Sequence, residues 1–275
     1  MNLAARVLVP ERMDTDCRDY TDYRACLLDL ARVNTVTLTH RPTLAWLRRQ
    51  TVGLDTFSLL DVACGGGDAL RRIHRQATTW GRQPMLTGLD LHPWSIRAAQ
   101  EATPDAQPIR YLNADVFAFT PDQPFDFIVS SQFTHHLTDD EIVRFIRWMD
   151  ANAAKGWFIA DLRRHLFPYY GFPLLARLAR LHRFVRHDGQ ISIGRAFVPA
   201  DWHRLLDQAG VPSGEATVRS DFPFRLTVSR SMASRPTVSR PVASRPAVSQ
   251  PVVSQHSISQ PIATRPNASE QCPPR

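Results

Sequence analysis

The sequence predicts an α/β fold with a doubly wound, mostly parallel sheet. Two observations support this prediction: short apolar runs alternate with helix-like stretches, and several runs end at glycine or aspartate, as buried strands do before a tight turn. The repeated order strand–helix–strand favours parallel strands joined by helical crossovers. With 275 residues, 43% of them hydrophobic, the chain is long enough and apolar enough to bury such a core.

Each predicted element has a local signal. The strands are expected where short apolar runs stand between turn residues, at 57–62, 85–90, 109–112, 125–130 and 156–161. The intervening helices are expected at 69–77, 94–101 and 139–151. Asp68 is a candidate N-cap for the first helix, and Pro93 fits the first position of the second. Two further helices, at 19–31 and 41–49, predict a separate N-terminal helical cap over residues 1–54.

The last part of the chain has a different composition. From Ser229 to Thr264 a serine or threonine recurs every five residues, mostly in Ser-Arg-Pro or Ser-Gln-Pro, and no aromatic residue follows Phe224. Such a segment cannot offset its ordering entropy. We therefore predict a disordered tail over 228–275 and a main domain over 55–227. The tail carries +5 of the net charge of +7, so the folded part is nearly neutral and no nucleic-acid partner is expected.

Several classes of protein are disfavoured by composition. The four cysteines form no CxxC pair, so neither a structural zinc site nor a disulfide scaffold is expected, and no metal is predicted. No stretch approaches the roughly 18 unbroken apolar residues of a membrane span. The first residues lack the pattern of a secretory signal, and we expect a cytoplasmic protein.

Chemically distinctive residues follow three consecutive predicted strands. The glycines at 65–67 follow the first strand, Asp90 ends the second, and Asp115 follows the third. In open parallel sheets ligands bind at the carboxyl ends of the strands, which predicts a nucleotide-like ligand here. The dinucleotide fingerprint fails because Leu70 stands where glycine or alanine is needed, and no Walker sequence occurs.

These residues resemble those of the class I S-adenosylmethionine-dependent methyltransferases. Residues 59–68, LLDVACGGGD, are similar to the first motif of that family, with Ala63 where glycine is commoner. The segments at 87–93, 113–116 and 125–137 are similar to its second, adenine-side and fourth-strand motifs. The resemblance implies a seven-stranded Rossmann-like sheet and S-adenosylmethionine as the cofactor.

The resemblance also implies which residues bind the cofactor. Along the chain they would contact the methionine end, the ribose, the adenine and the sulfonium in turn. In that order the residues are Asp61 and Gly65; Asp90; Leu91, Asp115 and Val116; and Ser131 and Gln132. Ala63 and Gly67, in the same first motif, are further expected cofactor-binding residues.

Transfer to a phenol would be helped by a base, because a phenol has a pKa of about 10 and histidine titrates near neutrality. We expect His135, after the fourth strand, and His187 to be the catalytic candidates, ahead of His136, His165 and Asp188. Residues 186–197 resemble a substrate-side segment of small-molecule methyltransferases in bacterial secondary metabolism.

Two segments after the fifth strand bear on the acceptor. Residues 166–175 are rich in aromatic residues and broken by proline and glycine, which suits either a mobile wall around a flat apolar acceptor or a packed helical hairpin. Arginines spaced by three predict a basic amphipathic helix over 174–186, with either a solvated face or a face that makes weak peripheral membrane contact.

The predicted function is methylation of a small aromatic or quinone-like metabolite, with transfer to oxygen. Carbon methylation of a quinone or polyketide ring is an alternative, since a base and a flat pocket serve both reactions. A non-catalytic protein that keeps the fold as a binding scaffold is a second alternative. An NAD-dependent oxidoreductase is disfavoured by Leu70.

Overall fold

The computed structural model describes residue 3 and residues 5–232. The helices of this part are α1 (Arg12–Asp16), α2 (Tyr20–Val36), α3 (Arg41–Gln50), α4 (Asp68–Thr79), α5 (Pro93–Ala102), α6 (Asp139–Asn152), α7 (Leu166–Leu178), α8 (Arg183–Arg195) and α9 (Pro199–Ala209), with a 3-10 turn at Thr134–His136. Its strands are β1 (Thr56–Val62), β2 (Gln83–Asp90), β3 (Ile109–Asn113), β4 (Phe125–Ser131), β5 (Ala153–Leu162), β6 (Ala216–Asp221) and β7 (Arg225–Ser231).

The strands form one seven-stranded sheet in the order β3-β2-β1-β4-β5-β7-β6. The five strands β1 to β5 are parallel, and β7 runs antiparallel to both β5 and β6. The predicted doubly wound, mostly parallel sheet is therefore confirmed. Strand order reverses between β1 and β4, so the switch point lies at the turn that follows β1.

Both faces of the sheet are covered by helices, which explains why its central strands β1, β4 and β5 are largely buried and apolar. In β1, Leu60 and Val62 belong to the core shared with α6 and α9, whereas Phe57 and Leu59 belong to the core shared with α3 and α4. This alternation is the two-residue period of a strand whose two faces are both buried. The carboxyl ends of β1, β2 and β4 are therefore fixed in place by packing on both sides.

The predicted domain boundaries need two corrections. The helices of the first 54 residues are not a separate unit, because the described residues all fall within one compact unit. The boundary at 227/228 cuts β7, in which Val228 is fully buried and pairs with Ile159 of β5. The rest of the predicted tail, from residue 233 on, lies outside the described residues.

The prediction of a single basic helix over 174–186 is wrong. Helix α7 ends at Leu178, Arg180 has a positive φ of 51°, and α8 begins at Arg183. A non-glycine residue in the left-handed region interrupts the helical path, so the arginines are divided between two helices and the turn that joins them.

Candidate functional site

The turn between β1 and α4 is built from residues with positive φ. Three of the predicted cofactor residues have this conformation: Ala63 at 58°, Gly65 at 51° and Gly67 at 73°. A Cβ on Gly67 would lie 2.5 Å from Tyr111 Oη, so glycine is required there by space as well as by conformation. The turn thereby presents bare backbone at the switch point, where a ligand can approach closely.

The carboxylate of Asp90 ties this turn to the end of β2. Its Oδ2 accepts the N–H of Gly65 at 2.8 Å, and its Oδ1 accepts the N–H of His92 at 2.9 Å. Burial raises the pKa of Asp90. Burial, followed by the nearby charges of Asp68 and Asp90, also raises the pKa of the fully buried Asp61 well above its usual value. Three carboxylates therefore converge on one turn, an arrangement that favours a cationic or hydroxyl-rich ligand.

Residues that the sequence did not single out connect the turn to the N-terminal helices. The predicted N-cap role of Asp68 is wrong, because Gly67 is the N-cap of α4 and no side chain caps this helix end. The Asp68 carboxylate instead accepts hydrogen bonds from His40 Nε2 at 2.8 Å and from Asn34 Nδ2 at 3.1 Å. Burial opposes ionisation of Asp68, but the hydrogen bond and charge of His40 prevail and lower its pKa. Asn34 Oδ1 in turn accepts from Gln132 Nε2 at 2.6 Å. No local signal in the sequence marks Asn34 or His40 for this role.

The three residues expected beside the adenine differ in solvent exposure. Leu91 is 71% exposed, Asp115 is exposed and accepts the N–H of Phe117 at 2.9 Å, and Val116 is buried in the core. An exposed leucine beside the Asp90 carboxylate leaves an apolar surface for a flat ring.

The end of β4 carries an orphaned polar atom. Ser131 Oγ is buried and has no hydrogen-bond partner among the described residues, and Gln132 has a positive φ of 55°. Unpaired buried hydroxyls and strained backbone concentrate at ligand sites. With the bare turn and Asp90, these features fit an amino-acid-bearing nucleoside such as S-adenosylmethionine.

A large apolar cavity of about 590 Å³ begins beside Gln132. Residues of α2, α7, α8 and the turn between β6 and β7 line it, and from the aromatic 166–175 segment they include Phe167, Pro168 and Phe172. Tyr169 of the same segment is buried, so the segment lines the cavity and also packs against the rest of the protein, as the helical-hairpin alternative expects.

His135 lies between two carboxylates behind the cavity wall. Its Nδ1 is 2.7 Å from Asp161 Oδ1, and its Nε2 is 3.5 Å from Glu11 Oε1. Asp161 also accepts the hydroxyl of Thr134 at 2.5 Å. Burial disfavours the charged imidazole, but the charges and hydrogen bonds of Asp161 and Glu11 outweigh it and raise the pKa of His135 to about 9. His135 is therefore protonated at neutral pH, which argues against its expected role as a free base.

Glu11 is the site residue that sequence reasoning missed. It lines the cavity, accepts the hydroxyl of Ser192 at 2.7 Å, and lies 3.8 Å from His136 Nε2. Burial would raise its pKa, but the hydrogen bond from His135 and the two imidazoles lower it to about 2. Glu11, His135 and His136 are also the one group of the described residues whose ligand atoms lie close enough to hold a metal ion, all within 4.8 Å of one another. No metal is needed to explain this grouping, because a protonated His135 also accounts for the short distance between its Nε2 and the Glu11 carboxylate.

The second expected base, His187, lies outside the cavity. Its side chain is 39% exposed and its Nδ1 is 2.8 Å from Asp188 Oδ1. Asp188 does line the cavity, where its carboxylate accepts the N–H groups of Arg12 and Met13 at 3.0 and 2.8 Å. The structure therefore does not support His187 as a base, and Asp188 holds the N-terminal segment in place.

Arg195 completes this attachment of the N-terminal segment. It donates to the carbonyl oxygens of Val9, His135 and His136, at 2.6 to 2.9 Å. His165 caps α7 by accepting the N–H of Phe167 at 3.1 Å. Residues 186–197, expected on the substrate side, thus hold Glu11 against the histidines.

Among the described residues, no helix has the length and hydropathy needed to cross a membrane.

Comparison with known proteins places this site in a family. Residues 59–156 match the family described as a methyltransferase domain. An uncharacterized methyltransferase of Mycobacterium tuberculosis is 38% identical over 89 residues, which are 32% of this chain and 42% of that protein. A ubiquinone biosynthesis O-methyltransferase of Methylobacterium nodulans is 30% identical over 120 residues, 42% of this chain and 45% of that protein. The match thus spans less than half the length of these two curated relatives.

Solved structures share the fold. The plantazolicin methyltransferase BpumL in complex with SAH superimposes with a TM-score of 0.58 at 12% identity, over 80% of this chain and 92% of that one. The sequence match covers β1 through the start of β5, which includes the positive-φ turn, Asp90 and the orphaned Ser131. The chain therefore contains a class I S-adenosylmethionine-dependent methyltransferase domain.

Proposed function

We propose that the chain transfers a methyl group to an oxygen of a small aromatic or quinone-like acceptor. The observation that carries this proposal is the apolar cavity of about 590 Å³, which begins at Gln132 and has the Glu11 carboxylate in its wall. A flat apolar molecule fits such a lining, and a carboxylate can orient its hydroxyl group. The similarity to a ubiquinone biosynthesis O-methyltransferase supports the same acceptor class.

The cofactor would be held by the residues expected from the family resemblance. Gly65 and Gly67 leave room for its methionine end to approach the backbone of the turn, Asp90 accepts hydrogen bonds from its ribose hydroxyls, and Leu91 covers its adenine ring. Asp61, also at the turn, faces its amino group, and Ser131 and Gln132 adjoin its sulfonium. Bound there, S-adenosylmethionine supplies an electrophilic methyl group that needs no activation by the protein.

The protein then contributes positioning and the exclusion of water. Glu11 accepts a hydrogen bond from the acceptor hydroxyl, turns its oxygen toward Gln132, and takes up the hydroxyl proton when that oxygen is methylated. His135 acts through Glu11 as a positioning residue, because its charge keeps that carboxylate ionised and in place. Helices α7 and α8 enclose the acceptor with aromatic side chains.

Calorimetry with S-adenosylhomocysteine, followed by turnover on a panel of phenols and quinols, tests the proposal. We expect binding by the folded protein and methoxy products that mass spectrometry and NMR identify. Asp90→Asn is the cofactor-side variant, and Asp115→Asn is a matched exposed variant that separates ribose from adenine contacts. A folded sample that binds no S-adenosylhomocysteine would refute the proposal.

Two other outcomes distinguish the alternatives. Products methylated at ring carbon would identify carbon methylation, which the same flat cavity accommodates. Cofactor binding without turnover on any acceptor would favour the scaffold role.

A further inference from the structure

A buried arginine in the cavity wall forms no salt bridge with a carboxylate among the described residues. Arg225, the first residue of β7, lines the cavity and is only 5% exposed. Its Nη2 donates to the hydroxyls of Thr37 at 2.9 Å and Thr39 at 2.6 Å. Its Nε is buried without a hydrogen-bond partner among the described residues, and Asp161 acts on the guanidinium only as a nearby charge.

The acidic groups nearby are already engaged. Asp161 accepts hydrogen bonds from Thr134, His135 and the N–H of Leu162, and it makes no ion pair with Arg225. Glu11 and Asp188, which share the cavity wall, are held by His135 and Ser192 and by the N-terminal backbone, respectively. Burial lowers the pKa of Arg225 to about 10, so the guanidinium remains charged at neutral pH.

A second arginine lies in the same wall. Arg163 follows β5, lines the cavity, and has a buried Nε without a partner among the described residues. Burying a cation without a close counterion has a large free-energy cost, which a ligand carboxylate beside the two arginines would offset. Arginine is also the side chain best suited to bind a carboxylate.

We propose that Arg225, assisted by Arg163, binds a carboxylate of the methyl acceptor. The acceptor is then an apolar, flat molecule with an acidic group, whose ring fills the cavity while its carboxylate faces the arginines. This inference rests on the proposed function for the identity of the cavity as the acceptor site. It adds a specificity determinant that lies outside the matched family segment at 59–156.

Binding of 3,4-dihydroxybenzoate and of its methyl ester, each in the presence of S-adenosylhomocysteine, tests the proposal. The two probes share ring and hydroxyls and differ in the charge. We expect the full-length protein to bind the acid at least about tenfold more tightly than the ester, as a hydrogen-bonded charge pair requires. Arg225→Met removes the charge at similar length and abolishes that preference. The matched control, Arg219→Met, alters an exposed arginine of β6 and leaves it unchanged.

Each result has one interpretation. Equal affinity for acid and ester in the unchanged protein overturns the proposal, and so does an equal loss of both in Arg225→Met. A large loss of S-adenosylhomocysteine affinity in Arg225→Met also overturns it, because the arginine then serves the cofactor. Failure of the unchanged protein to bind S-adenosylhomocysteine refutes the proposed function instead. If Arg225→Met does not fold, the probes' effects on the melting temperature of the unchanged protein decide between acid and ester.

A separate observation concerns the mouth of the cavity. Apolar side chains from three elements both line the cavity and are exposed at its rim: Val36 and Leu38 at the end of α2, Phe167 and Leu175 of α7, and Phe222 before β7. Phe222 is 82% exposed. The outer face of α7 continues this surface with Leu166, Tyr170, Leu174 and Leu178, spaced by four residues.

The segment that carries α7 and the start of α8 is rich in arginine and has no acidic residue. Between Asp161 and Asp188 the sequence has six arginines and no acidic residue. Arg177 and Arg180 are exposed at the end of α7, whereas Arg183 is paired with Asp22 at 2.6 Å. An apolar face edged by arginine is the composition that binds an anionic lipid surface.

We infer that the outer face of α7 and the cavity rim rest on an anionic bilayer, through which an amphiphilic acceptor enters. Sedimentation with phosphatidylglycerol vesicles, with phosphatidylcholine vesicles as the neutral arm, tests this. The double variant Leu174→Asp/Leu178→Asp, which lies outside the cavity lining, is expected to lower the partition coefficient at least about tenfold. Val52→Asp, an equally exposed apolar position after α3, is the matched control and is expected to have no effect.

Undiminished binding by the double variant overturns the inference, because the positive charge beyond residue 232 then accounts for it. Absence of binding to phosphatidylglycerol by the unchanged protein overturns it as well. These measurements need no cofactor or acceptor, so their outcome is independent of the proposed function.

Discussion

Replacing His135 by asparagine should destabilise the protein in a pH-dependent way. The imidazolium lies between the carboxylates of Asp161 and Glu11, at 2.7 and 3.5 Å. Asparagine keeps an amide donor near the position of Nδ1 but carries no charge. Both buried carboxylates then lose the imidazolium that they share, and removal of one partner of a buried pair costs about 3–5 kcal/mol.

The pKa of His135 gives an independent magnitude. A rise from 6.5 to about 9 corresponds to about 3 kcal/mol of folding free energy. Because the pKa is raised in the folded state, this stabilisation is fully present below about pH 6.5 and is lost as pH rises through 9. The pKa values of Asp161 and Glu11 are lowered to about 2, so their contribution is present above about pH 4 and is lost as pH falls through 2.

Thermal unfolding at pH 6.0 and 9.5 measures both effects. At pH 6.0 we expect the melting temperature of His135→Asn to fall by roughly 6–12 °C relative to the unchanged protein, and the difference should shrink markedly at pH 9.5. His187→Asn, at a partly exposed histidine beside Asp188, should shift the melting temperature by less than about 2 °C. An equal loss at both pH values would show that packing rather than charge holds His135, and the reasoning would fail.

Three further outcomes follow from the structure. Ala63→Gly should stabilise the protein by about 1 kcal/mol in urea unfolding, because Ala63 has a φ of 58° that glycine adopts without strain; a loss of stability would contradict this. Asp90→Asn should weaken S-adenosylhomocysteine binding at least about tenfold by calorimetry, since a charged acceptor of hydrogen bonds is lost, and unchanged affinity would remove Asp90 from the site. A chain that ends at Met232 should keep the melting temperature of the full chain, whereas a chain that ends at Thr227 should have a lower melting temperature, because Val228 is buried in β7. Equal melting temperatures for the two truncated chains would refute the assignment of β7 to the core.

The sequence predicted the elements whose signal is local. Strands β1, β2 and β4 are apolar runs that end at glycine or a polar turn, and the sheet fixes their carboxyl ends side by side, so the glycine turn and Asp90 were found. The predicted boundary at 227/228 divided β7 because the five-residue repeat begins at Ser229, inside the strand. The composition of the chain therefore changes before the hydrogen bonding of β7 to its neighbouring strands ends. The repeat gave no indication that Val228 pairs with Ile159.

The parts of the site that depend on distant contacts could not be predicted. Glu11 reaches His135 only because Asp188 and Arg195 hold the N-terminal segment, and these residues are more than 100 positions from it along the chain. No spacing rule connects such positions. His187 was chosen as a base for its residue type, yet it does not line the cavity, and its partly exposed side chain contacts Asp188.

The two halves of the candidate site come from different parts of the chain. Of the described residues that line the cavity, Gln132 alone falls within 59–156, the segment that matches the family. Under the proposed function, the N-terminal helices, the α7–α8 hairpin and the turn before β7 can therefore change together with the acceptor, while the rest of the sheet and its cofactor turn stay the same. Transplanting acceptor specificity onto a related sheet would then require these segments together with Arg163 and Arg225.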